Sequence, residues 1–278
     1  MNSLTLAEQI YEALIYMYAL SLLFYFSDCI RRNAGAKRTG TGFLVVVWLL
    51  QVVHVILRMW TEGHFPIYTT FDFLFIFSFS IVLMSLGMIR VQRSEFVILL
   101  LNIVGFSVTV LNRLWFTAGE ISLHNWQTVH GLLIMHITLA NLGFAALTVA
   151  AVFAMLYLFL HRKLKNKKWN DTMRRMPSLE VIGKYMDGAT LIGTPLLGVS
   201  VVLAVLSIVA ETRWYLLLDL KVIATGLAIA IYIGYFVSKH RKQFSNIIMA
   251  RWTLIGYGFV IISFLSNAYS AFHRWTGE

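Results

Sequence analysis

The chain has 278 residues, 59% of them hydrophobic and only 13% charged, with a mean hydropathy of +0.73. Soluble domains are nearer half apolar and a quarter charged, so an ordinary soluble globule is excluded and an integral membrane protein is implied. The net charge of +10 therefore has to be read as a question of sidedness, and the single cysteine, Cys29, excludes an internal disulfide.

A bilayer-spanning helix needs about 20 mainly apolar residues, and eight such runs lie between charged breaks. The first, 9–28, follows Glu8 and Glu12 instead of a basic stretch and ends without a small-x-small cleavage pattern, so it is expected to persist as a helix and not as a cleaved signal. The second, 42–60, places Gln51, His54 and Arg58 on one face at helical spacing. Polar groups inside a membrane are costly and tend to face the bundle interior or a cavity. The third and fourth runs are 70–89, opening on Asp72, and 95–112, ending on Asn112. The fifth, 130–160, is longer than a bilayer requires, so its first turns are expected to project outside. The sixth, 186–210, contains Gly193, Thr194, Pro195, Leu196, Leu197 and Gly198, a run predicted to kink the helix. The seventh and eighth are 218–238 and 246–269. There is no internal repeat, and the expected architecture is all-α, a polytopic bundle of eight transmembrane helices forming one membrane domain over 1–278.

Alternate connections differ sharply in charge. Seventeen of the 23 lysines and arginines fall in one set: Arg31 to Arg38, Arg90 and Arg93, the stretch from Arg162 to Lys184, and Lys239 to Lys242. The other set has Arg58, Arg113, Arg213 and Arg274 near its ends. Positive charge stays inside, so the first set is expected to be cytoplasmic and both termini to lie on the outer face. The cations thus record orientation, and with Trp169 as its one aromatic the 161–184 connection argues against nucleic acid as a partner.

Of the eight histidines, six cluster toward the outer face: His54, His64, His124, His130, His136 and His273. His161 and His240 fall at cytoplasmic ends. Asp72, Asn112, Asn141, Asp187, Asp219 and Lys221 are expected to add polar groups to the outer half of the membrane. Isolated interfacial histidines commonly face water, but neutral imidazole also binds haem iron axially, and a helix bundle rich in aromatics can supply the apolar cleft. There is no CxxCH for covalent haem, no glycine-rich phosphate loop, no HExxH, no GxSxG and no zinc spacing, so the chain is expected not to be an enzyme.

Three segments carry a more specific signal: GHFPIYTTFDFLFIFSFS at 63–80, VHGLLIMHITLANLGFAALTVAAVFAMLYL at 129–158, and YGFVIISFLSNAYSAFH at 257–273. In this order, across nearly the whole chain, they resemble the cytochrome c assembly family of membrane proteins (the CcsA/ResC type), and within it the smaller HemX-type branch. The resemblance implies b-type, non-covalent haem at the outer face of a bacterial plasma membrane. It places His136 and His273 as the axial ligands of haem iron, and aligns His240, in SKHRK, with a further family histidine. With it, His54 and Arg58 are expected to line the cavity or to pair with a propionate, since guanidinium donates two hydrogen bonds to a carboxylate. The family's tryptophan-rich platform corresponds here to ETRWYLLLDLKV at 211–222. Trp214, Tyr215, Asp219 and Lys221 keep its outline, while Leu216 and Leu218 stand where tryptophans would stack on the porphyrin.

Three readings follow. The first is a haem-binding or haem-sensing membrane protein. The second, implied by the HemX-type resemblance, is a negative effector of haem biosynthesis acting on glutamyl-tRNA reductase levels, in contact with that enzyme or another haem-pathway protein through the 161–184 connection; the alternative within the family is a component of cytochrome c maturation that transports or presents haem. The third is a transporter, for which one interrupted helix without a repeat is thin support.

Overall fold

A computed structural model describes residues 5–63, 65–67, 69–91, 93–115, 130–167, 171–210, 214–241 and 244–266. Their regular structure is helical: α1 (Leu6–Ile30), α2 (Ala34–Glu62), α3 (Thr70–Met88), α4 (Glu95–Trp115), α5 (His130–Lys165), the short α6 (Asp171–Arg174), α7 (Leu179–Ala210), a 3-10 turn (Trp214–Leu218), α8 (Leu220–His240) and α9 (Asn246–Ser266). Eight of these helices are long and apolar enough to span a membrane.

Several are longer than their hydropathy indicates, because capping chemistry sets where a helix begins and the bilayer does not. α2 starts eight residues before its apolar run, where the Asn33 side chain accepts hydrogen bonds from the Gly35 and Ala36 N–H groups as an N-cap. α7 likewise begins at Leu179 and runs on through Pro195. Both α1 and α3 open with reciprocal capping boxes, Thr5 with Glu8 and Thr69 with Asp72, which satisfy donors otherwise orphaned at the helix start. At the other end of α2, Gly63 has φ 71°, a left-handed conformation that glycine adopts without steric cost. The glycine and the acid of the 63–80 segment thus have local duties, one ending α2 and the other starting α3.

The chain divides into two compact units. In the first, α1 packs on α2, α2 on α3, α3 on α4 and α4 back on α1, closing a four-helix ring. α1 buries Tyr11, Leu14, Tyr18, Ser21, Tyr25 and Asp28, alternating by three and four residues as an inward seam requires. The three tyrosines, seven residues apart, each bond to a neighbouring helix: Tyr11 donates to the Thr109 carbonyl (3.0 Å), Tyr18 to Asn102 Oδ1 (3.0 Å), and the Tyr25 hydroxyl bonds that of Thr41 (2.8 Å). α2 answers with Leu44, Val47, Gln51, His54 and Arg58. In the second unit, α5 packs on α7, α7 on α8, α8 on α9 and α9 on α5, a ring of the same kind. α5 and α7 approach closely at two glycines. A Cβ on Gly143 would lie 3.0 Å from the Leu197 backbone nitrogen, and one on Gly193 2.8 Å from Leu147 Cγ. Small residues at a membrane helix interface permit such backbone contact.

Candidate functional site

At the end of the first unit where α1 and α3 begin and α2 and α4 finish lies a cavity of about 480 Å³, lined among others by Glu8, Tyr11, His54, Arg58, Glu62, Phe71 and Arg113. Arg58 is its centre. Its Nη1 meets Asp72 in an ion pair whose side chains are 6% and 1% exposed, while Nε and Nη2 donate to Glu62 Oε1 at 2.8 and 2.5 Å and the guanidinium lies 5.3 Å from the Phe71 ring centroid. Asp72 is held from the other side by the Thr69 N–H (3.1 Å). Arg113 pairs with Glu12 at 3.3 Å, both partly exposed. Arg58 therefore lines the cavity, but its fork is committed to two carboxylates, and a propionate would have to displace Glu62.

One turn below Arg58, His54 is 3% exposed and packs against Tyr11, Phe71 and Phe75. Its Nδ1 lies 3.2 Å from the Ala7 carbonyl. A carbonyl only accepts, so Nδ1 carries the hydrogen and Nε2 the lone pair; Nε2 is buried without a hydrogen-bond partner among the described residues. The polar seam continues inward, where Gln51 Nε2 donates to Ser78 (3.3 Å) and Ser78 bonds Thr109 (2.6 Å). The face formed by Gln51, His54 and Arg58 was legible from spacing; its partners on α1, α3 and α4 were not.

In the second unit His136 is 8% exposed. Its Nδ1 donates to the Ser200 carbonyl (2.8 Å) and lies 2.9 Å from the Ser200 hydroxyl, which itself donates to the His136 carbonyl (2.9 Å). Ser200, unremarkable in sequence, thus fixes both the ring and its tautomer and leaves the lone pair on Nε2. A ring N–H held by a backbone carbonyl is how iron- and zinc-binding histidines are commonly oriented, so the donor chemistry of His136 fits haem iron. Lys221, in the first turn of α8, is close enough to act on His136 electrostatically.

The other expected residues are dispersed. Asp219 caps α8 by accepting the Lys221 N–H (2.9 Å), and Trp214 and Tyr215 are exposed on the 3-10 turn. His240 is exposed at the far end of α8. Nineteen residues from Lys221, it lies about 28 Å away along the helix, so it cannot share an iron with His136. Asp187 is not in the half expected for it: it pairs with Lys239 and accepts from Tyr235, at the end of the unit that carries basic connections. His64, His124 and His273 lie outside the described residues. The 161–184 connection is not one free loop, since α5 extends to Lys165, α7 begins at Leu179, and 171–177 belongs to the first unit.

These features describe a polytopic α-helical membrane protein with buried charge at the end of one bundle and an oriented histidine in the other. The profile of the family described as Cytochrome C assembly protein matches residues 10–273, and the chain belongs to that family. It is similar over nearly its whole length to two curated relatives. Protein HemX of Brevibacillus brevis is 32% identical over 266 residues, 96% of this chain and 97% of the relative. Protein HemX of Bacillus subtilis (strain 168) is 29% identical over 270 residues, 97% and 98% of the two chains. No solved structure matches.

Proposed function

We propose that this chain is a non-enzymatic, b-type haem-binding protein of the bacterial plasma membrane, with both termini outside and His136 and His273 as the iron ligands. The observation that carries the reading is His136, a buried imidazole whose Nδ1 hydrogen is held by Ser200, the tautomer that keeps the lone pair on Nε2. Bound there, haem would supply a redox- and ligand-responsive iron, and Lys221 is the nearby cation suited to a propionate. His54 and Arg58 line a cavity within the first unit, where Arg58 would take a carboxylate of the ligand only in place of Glu62. His240 stands apart from both.

The output that the HemX-type resemblance implies is negative control of haem synthesis through glutamyl-tRNA reductase levels, exerted by contact of that enzyme, or another haem-pathway protein, with the connection between α5 and α7. Arg174 is exposed there and is the residue to change. Deleting the gene should raise reductase abundance several-fold. Arg174→Glu should abolish co-purification of the partner while the haem spectrum stays unchanged. Unaltered reductase in the deletion strain contradicts the regulatory reading. A second reading, haem presentation during cytochrome c maturation, is favoured by the exposure of Trp214 (57%) and Tyr215 (66%), which form an aromatic surface on the platform segment. Loss of membrane c-type cytochromes in the deletion strain, with normal reductase levels, would select it.

A further inference from the structure

The connection from α5 to α7 reads as a basic loop, yet its middle is docked. Met173 and Met176 are 6% and 5% exposed. Arg175 donates to Asp28 Oδ2 and to the Cys29 carbonyl, both at 3.3 Å, and its guanidinium lies 6.0 Å from the Phe96 ring centroid. Asp28 itself is 2% exposed, and its other oxygen accepts the Asn33 N–H at 2.8 Å. A buried carboxylate near the end of α1 therefore takes its counter-ion from a segment about 150 residues further along the chain. A buried charge of this kind needs its partner, which gives the docked position its specificity.

The docking is also slight. A four-residue helix has no stability of its own, because it ends before the cost of nucleation is recovered. Among the described residues its buried apolar contacts come from Met173, Met176 and Pro177, two of them methionines, the most conformationally adaptable of apolar side chains, and its charge contact from the Arg175 guanidinium. Segments with few buried contacts open at low free energy without global unfolding.

We propose that 171–177 is a reversible latch on the end of the first unit where α1 finishes, closed by Arg175 on Asp28, and that its opening frees Met173, Arg175 and Met176 together while uncovering Cys29. Docked, the connection offers Arg174 alone of its two arginines; open, it offers a mobile basic and apolar segment to whatever meets that face. The chain's single cysteine is 8% exposed and lies against the latch, so it reports opening directly, without haem or a partner. Failure of this proposal is therefore separate from failure of the haem reading.

The test is the rate of N-ethylmaleimide addition to Cys29 in the full-length protein in nanodiscs, followed by intact mass. Wild type should label slowly but completely while its tryptophan fluorescence stays native. Arg175→Ala and Asp28→Asn should each accelerate labelling at least tenfold, and the double variant should be no faster than the quicker single one, because both changes open one latch. Trypsin cleavage after Arg174 should accelerate in parallel. Where Arg175→Ala does not fold, Arg175→Lys serves: one ammonium cannot bridge both acceptors as the guanidinium does, and about threefold faster labelling is expected. Equal rates in wild type and variants, complete protection of wild type, or accelerations that multiply in the double variant would each overturn the proposal.

Discussion

Replacing Arg58 by methionine keeps an apolar stem against Phe71 and removes the charge. The Asp72 side chain, 1% exposed, is then left as a buried carboxylate with only the Thr69 N–H as donor among the described residues. Breaking a buried pair from one side costs about 3–5 kcal/mol, and the surviving bond places the expected loss near ~3 kcal/mol. Glu62 adds little, since its side chain is 30% exposed and exposed pairs contribute about 0–1 kcal/mol. Asp72→Asn alone should cost about 2 kcal/mol, the value of a hydrogen bond to a charged group. In the double variant no buried charge is stranded, so its cost should fall short of the sum by at least ~1.5 kcal/mol. Reversible unfolding in mixed SDS and dodecylmaltoside micelles, followed by tryptophan fluorescence, measures all three. Additive losses, or a loss under ~1 kcal/mol for Arg58→Met, would refute the account of this pair as buried and mutually dependent.

Other outcomes follow from close contacts. The Tyr18 hydroxyl occupies the space a Cβ would take at Gly105, with Ile81 Cγ2 a further 3.1 Å neighbour, so Gly105→Ala should destabilise by about 1–3 kcal/mol through overpacking. In a Tyr18→Phe background the same substitution should become neutral or mildly stabilising, and a full penalty there would show that the hydroxyl is not the obstacle. Ser200→Ala keeps the backbone carbonyl that holds His136 Nδ1 but removes the hydroxyl that donates to the His136 carbonyl. It should lower haem affinity about tenfold, as loss of an orienting partner does, without moving the Soret maximum. A haem titration checks both.

How much could be read beforehand depended on the range of the interaction. Spans follow from hydropathy because the bilayer selects for it. The true start of α2 at Ala34 does not, since Asn33 caps a stretch whose lysine and arginine lie beyond the apolar run. Gln51, His54 and Arg58 announce one face by their spacing; that Arg58 finds both Glu62, one turn on, and Asp72, across a turn, is a tertiary fact. The alternation of Tyr11, Tyr18 and Tyr25 was present in the first run as a seven-residue repeat and is the signal that could have marked the inward face of α1. Arg175 reads in the sequence as one more basic residue of a connection, because its partners, Asp28 on α1 and Phe96 on α4, lie far away along the chain. Asp187 was assigned to the wrong half because its apolar run begins at 186, whereas the helix starts a full two turns earlier and brings the carboxylate to Lys239.

The most direct measurement of the central claim is the optical spectrum of the detergent-purified protein after haem supply. A Soret band in the wild type that disappears in the His136→Ala, His273→Ala double variant is the predicted result. No band, or an unchanged band in the double variant, would contradict it.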